Sequence, residues 1–220
     1  MSQPKRSPGA CERNDSVDRF MPKWDLRKEH ETIVRAPAKV VFEVAQHFNL
    51  ESIPLIRAIF WLRAKLLRAS YSPMTRGIVE ETMSMGWRML DCLADRELIM
   101  GSATQPWIGR VTFRGIPPEK FPDFNEPDYV KIVWTFEAEP LGSDLTRLRT
   151  QTRVLATDAQ ARAKFKSYWR KFGIGIRIIR WLALPSIRRE AERRHTLSDN
   201  RGSQNPPPSS MSALEDGTKL

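Results

Sequence analysis

Two cysteines in 220 residues leave no basis for a disulfide framework or a cysteine-rich zinc site. Cys11 falls in a polar stretch and Cys92 in an apolar one, where a buried, inert thiol is expected. No uncharged apolar run approaches the roughly 20 residues that a spanning helix needs. The longest apolar stretches, Pro54 to Leu67 and Ile174 to Leu184, are broken by Arg57, Arg63, Lys65, Arg177 and Arg180. The first twenty residues lack the apolar centre of a secretory signal, so a cytoplasmic location is expected. Histidine is scarce as well. His30, His47 and His195 show no paired metal-ligand spacing. Glu43 and His47 share a helix face at i and i+4 but find no third ligand, so an ion pair is expected there and no metal. Gly173-Ile174-Gly175 lacks the preceding strand and the third glycine of a dinucleotide fingerprint. With no nucleophile elbow and no phosphate loop either, no cofactor is expected.

Acid is also short. The chain holds 36 Lys and Arg against 26 Asp and Glu, a formal charge of +10. Between Asp158 and Arg194 there are eleven Lys and Arg against three acids, so most of the excess lies in one segment. Such a segment suits an anionic lipid surface, a nucleic acid or an acidic partner, and equally a solvated helix face. Lys164 to Arg194 mixes its basic residues with Trp, Phe and Ile, as an interfacial helix does. Glu51 to Arg68 has the same character, with Phe60 and Trp61 among Arg57, Arg63, Lys65 and Arg68. No DNA- or RNA-binding motif is legible, so a nucleic-acid partner is not expected.

Residues 1–23 are polar and without periodicity, and residues 198–220 are rich in Pro and Ser; both read as disordered tails around one domain at 24–197. His30 to Arg35 alternates as a strand does, and Pro37 then opens a short amphipathic helix through Phe48. Glu51 to Arg68 is a second helical stretch, and a further turn is expected at Glu80 to Gly86. Trp87 to Leu93, Glu97 to Ala103 and Trp107 to Phe113 read as strands. In the clearest strand, Tyr129 to Glu139, Val130, Ile132, Trp134, Phe136 and Ala138 share one face. Leu145 to Ala156 is its antiparallel partner, with Arg147, Arg149 and Arg153 opposite Leu148, Thr150, Thr152 and Val154. Thr157-Asp158 caps a last helix whose stripe is Ala161, Phe165, Tyr168, Phe172, Ile176 and Ile179. Gly173 and Gly175 predict a bend or break in it, and Pro185 a kink or an end.

The opening ETIVRAPAKVVFEVAQHF, the pair RELIMGSATQPW and VKIVWTFEAEPLGSDLTRLRTQTRVLATD, and the closing ARAKFKSYW resemble the START-like or SRPBCC superfamily of helix-grip proteins. The likeness spans about Leu26 to Trp181 and is nearest to uncharacterised bacterial members. It implies an α+β helix-grip fold: a curved antiparallel sheet wrapped around a long C-terminal helix, with two short helices after the first strand. It also implies a cavity between sheet and helix that takes a hydrophobic or amphipathic small molecule such as a lipid or polyketide. Trp134, Phe136, Thr150 and Thr152 on the sheet and Phe165, Tyr168, Trp169 and Phe172 on the helix are the expected lining, or else plain core. A polyketide cyclase of this fold would draw on Tyr168, Thr150, Thr152, His30 or Arg149, none of them in a specific catalytic motif. A third reading is a lipid-handling protein held peripherally at the inner face of a membrane by its basic C-terminal segment.

Overall fold

Eleven residues, Val130–Pro140, pair in unbroken antiparallel register with Thr146–Ala156. The turn between them is closed by backbone bonds from Leu141 and Gly142 to the Leu145 carbonyl. These two strands, β5 and β6, form the centre of the sheet. β1 (Leu26–Val34) lies along β6, and β3 (Glu97–Thr104) along β5. β2 (Arg88–Leu93) and the two-residue β4 (Phe113–Arg114) both pair with β3, so the main strand order is β1-β6-β5-β3-β2. Three short helices join β1 to β2: α1 (Ala38–His47), α2 (Pro54–Leu66) and α3 (Ile78–Ser84). The last helix, α4, runs from Ala159 to Ser203 and packs on the inner face of the sheet. This is the α+β helix-grip arrangement. The computed structural model describes residues 16–203, except 67, 69, 109 and 110.

The start of α4 follows local rules. Asp158 Oδ1 accepts the Ala161 N–H at 2.7 Å, and the Asp128 N–H also donates to this carboxylate. These bonds hold the Asp158 carboxyl below its ordinary range. The expected break at the glycines does not occur. A Cβ on Gly173 would lie 2.8 Å from the Trp169 indole, and one on Gly175 would lie 3.1 Å from Ile59 of α2. Both glycines serve close packing. Pro185 does not end the helix either, because Leu184 and Ile187 on its two sides are buried in the core. Ile176 of the expected stripe lies outside the described side chains.

Four other expectations are corrected. The N-terminal tail was expected through Lys23, yet Ser16–Arg19 forms a 3-10 turn, and Val17, Phe20 and Met21 are buried on the outer face of the sheet. The remainder of that tail, residues 1–15, lies outside the described residues, as do 204–220; helix α4 continues beyond 198 to Ser203. The strand expected over Trp107 to Phe113 shrinks to Phe113–Arg114. Trp107 lies in a turn instead and packs against the cluster that holds Val130, Ala161 and Phe165. Cys92 is exposed on β2 rather than buried. Partial desolvation, then Asp91 and Asp95, raises its thiol pKa, so it remains a weak nucleophile.

Candidate functional site

In an antiparallel sheet, residues paired directly across strands share a face. The register therefore builds rows across the inner face, from β1 to β3. One row reads His30, Thr150, Phe136, Leu98; the next reads Lys28, Thr152, Trp134, Met100. Both rows are polar at the β1 side and apolar at the β3 side. Rows to either end are different. Thr32, Leu148 and Ala138 lie beyond the first, and Leu26, Val154 and Ile132 beyond the second.

Helix α4 covers this face unevenly. Toward its start, Ala161, Phe165 and Tyr168 are buried with Val130, Val154 and Ala156. Toward its end, Leu184, Ile187 and Ala191 are buried with Val34, Phe136 and Leu148. Between these two seals lie the two polar rows. Lys28, His30, Thr150, Thr152 and Trp134 are all partly accessible there, as is Phe172 of α4, whereas Ile179 packs on the cluster of Leu50, Ile56 and Ala183. Two hydroxyls, an ammonium and an imidazole on rigid strands beside an indole give hydrogen-bonding groups at one end of an apolar floor.

The eight residues predicted to line a cavity fall into three groups. Trp134 and Phe136 meet edge to face, 5.2 Å between ring centroids, next to the C-terminal seal. Phe165, Tyr168, Trp169 and Phe172 form a run of tilted rings 5.0–6.5 Å apart. Phe165 and Tyr168 belong to the N-terminal seal; Trp169 and Phe172 pack against it and keep partial access. Thr150 and Thr152 join the groups across the register. The Tyr168 hydroxyl accepts from Arg63 Nε at 3.2 Å, so it links α2 to α4. His30 falls among the inner rows. Arg149 points to the outer face, where Glu29, Glu31 and Glu137 lie within 3.3–3.6 Å. Lys28 was not anticipated; its place beside Thr152 follows only from the β1–β6 register.

Two open clefts indent the surface elsewhere. One of about 450 Å³ lies between α1 and α4, lined by His47, Asn49, Ser52, Arg189, Arg193 and Arg194 among others. Glu190 sits in it and binds both Arg193 and Arg194, which hold its carboxyl down at about 2. The other, of about 520 Å³, follows the Arg114–Glu126 loop. Neither is lined by any of the eight predicted residues. His47 Nδ1 lies 2.9 Å from the Glu43 backbone carbonyl instead of pairing with the Glu43 carboxylate. Among the described residues no group of three His, Cys, Asp or Glu could hold a metal ion, and no helix is long and apolar enough to cross a membrane.

No protein-family model and no curated protein matches the chain. Among solved structures it is similar to the Zhui aromatase/cyclase from Streptomyces sp. R1128, at 15% identity over 77% of this chain and 94% of that one, TM-score 0.27. It is also similar to hypothetical protein jhp0584 from Helicobacter pylori, at 11% identity over 87% and 99%, TM-score 0.37. A third similarity is to PFC0360w, an HSP90 activator from Plasmodium falciparum, at 14% identity over 70% and 95%, TM-score 0.28.

Proposed function

We propose that this domain binds one amphipathic small molecule between the inner face of the sheet and the middle of α4. The observation that carries this reading is the partial accessibility of Lys28, His30, Thr150, Thr152 and Trp134, on two neighbouring rows of the inner face between two sealed parts of the core. The gradient along these rows gives the ligand a direction. An apolar body lies against Trp134 and Phe172, and an oxygen-bearing end reaches Thr150, Thr152 and Lys28. A lipid or a polyketide-type compound has that chemistry.

Retention of a ligand through purification is tested by native mass spectrometry of the full chain. A titration with an apolar fluorescent probe then measures the site. About one probe per protein is expected, with quenching of tryptophan emission. Failure of any apolar probe to bind at any concentration would mean that side chains fill the gap.

A catalytic reading has one observation in its favour. His30 faces the gap beside Thr150, and an imidazole there is a natural proton carrier. His30→Gln keeps a polar side chain and removes the titrating group. Turnover of a polyketide-type substrate that survives this change excludes His30 as the acid–base group.

A further inference from the structure

Helix α2 buries little of itself. Ile56 and Ala64 are its buried residues, while Leu55, Leu62 and Leu66, at spacings of seven and four, form an exposed apolar stripe. On α4, Ile174 and Trp181 are 63% and 72% exposed, with Ile178 between them at helical spacing. The two helices touch through Ile59 at Gly175 and through Arg63 at the Tyr168 hydroxyl, so the stripes belong to neighbouring helices. Among the described residues Trp181 is the most exposed large apolar one, and solvent is a poor setting for this many such side chains on one adjoining pair.

Charge identifies the occupant. From Ser52 to Val79, and again from Ala159 to Arg189, the chain contains no Asp or Glu. Arg57, Lys65, Arg68, Arg170, Lys171 and Arg177 are exposed within these stretches. The positive charge farther along α4 is different in kind. There Arg188 pairs with Glu192, and Arg193 and Arg194 pair with Glu190. Arg162 and Lys164 at the start of α4 also pair, with Asp25 and Asp128. Among the described residues, the positive charge without an acidic partner is therefore concentrated on α2 and the middle of α4, beside the exposed Leu, Ile and Trp. A second copy of this chain would bring like charges together. A nucleic acid would leave the leucines without a counterpart.

From this combination we infer that α2 and the middle of α4 form a docking surface for an anionic lipid bilayer. The leucines, Ile174 and Trp181 enter the headgroup boundary, and the Arg and Lys side chains meet lipid phosphates. This inference does not depend on the ligand reading above, because none of these side chains belongs to the two polar rows.

The test is co-sedimentation of the full chain with vesicles of phosphatidylcholine, alone or mixed with phosphatidylglycerol. Binding is expected only with the anionic lipid and is expected to fall steeply as salt is added. Replacing Arg170, Lys171 and Arg177 together with Gln is expected to weaken it about a hundredfold. Replacing Leu62, Leu66 and Ile174 with Gln is expected to weaken it about tenfold or more. Melting temperatures measured alongside show whether each variant remains folded, and the charge variant alters only exposed side chains. Absent sedimentation, equal binding to neutral and anionic vesicles, or full binding by the folded charge variant would overturn the inference. A lipid-independent dimer that the Leu62, Leu66 and Ile174 changes dissolve would assign the face to a second copy and overturn it too.

Discussion

The outer face of the sheet carries more polar side chains than the inner face, and the two faces use them in different ways. On the outer face the groups are held tightly. Arg153, 1% exposed, pairs with Asp18, donates to the Met21 carbonyl at 2.7 Å and to Gln151 at 2.7 Å, and lies under the Trp24 ring. Lys131 donates to the Phe121 and Pro122 carbonyls. Segments 16–21 and 116–124 cover these groups and exclude water. On the inner face Lys28, His30, Thr150 and Thr152 remain partly accessible between two apolar seals. Polarity that is buried and fully bonded fixes structure, whereas polarity on a rigid floor that solvent can reach is available to a ligand.

The largest test of that contrast is Arg153→Ala. It leaves Asp18, Gln151 and a carbonyl without their donor and releases the 16–21 segment from the sheet. A loss of about 3–5 kcal/mol in denaturant unfolding is expected. A loss below about 1 kcal/mol would mean that the outer face is held by its apolar contacts alone.

Next is the pair of phenylalanines on α4. Phe165 is buried, whereas Phe172 is partly exposed. Phe165→Ala is expected to cost about 3–5 kcal/mol, and Phe172→Ala clearly less because part of its ring is already in water. Equal costs would place both in closed core and shrink the proposed gap. Tyr168→Phe is a smaller change. It removes the acceptor for Arg63 and is expected to cost about 0.5–1.5 kcal/mol without altering ligand affinity.

The smallest effect concerns Lys131. Burial pushes its ammonium below the usual 10.5, with Asp123 opposing. Between the lowered value and 10.5 the unfolded chain holds more protons than the folded one, so this group's contribution to stability rises with pH across that interval. Unfolding midpoints measured on the alkaline side are expected to show this slope in the wild type and to lose it in Lys131→Met.

Strand alternation in β5 and β6 was legible in the sequence because hydrophobic and polar residues alternate there with few exceptions, and the capping Asp158 announced the start of α4. What was hidden depended on distant partners. Val17, Phe20 and Met21 look like tail residues until Arg153 and the outer sheet face supply the surface they cover. Gly173 and Gly175 read as breaks because the indole and the isoleucine that need their space are not visible in a one-dimensional pattern. Of the gap, Thr150, Thr152 and Trp134 followed from alternation alone. Lys28 required the β1–β6 register, which strand pairing decides and composition does not.

The claim that the inner gap receives a ligand is tested most directly by filling it. Thr150→Leu adds apolar bulk between His30 and Phe136 and removes one hydroxyl. Titration of wild type and variant with the same apolar fluorescent probe, alongside their unfolding midpoints, is the measurement. The account predicts about one probe bound by the wild type, and none by a variant that is at least as stable. Equal binding by both proteins would contradict it and move the ligand away from the sheet.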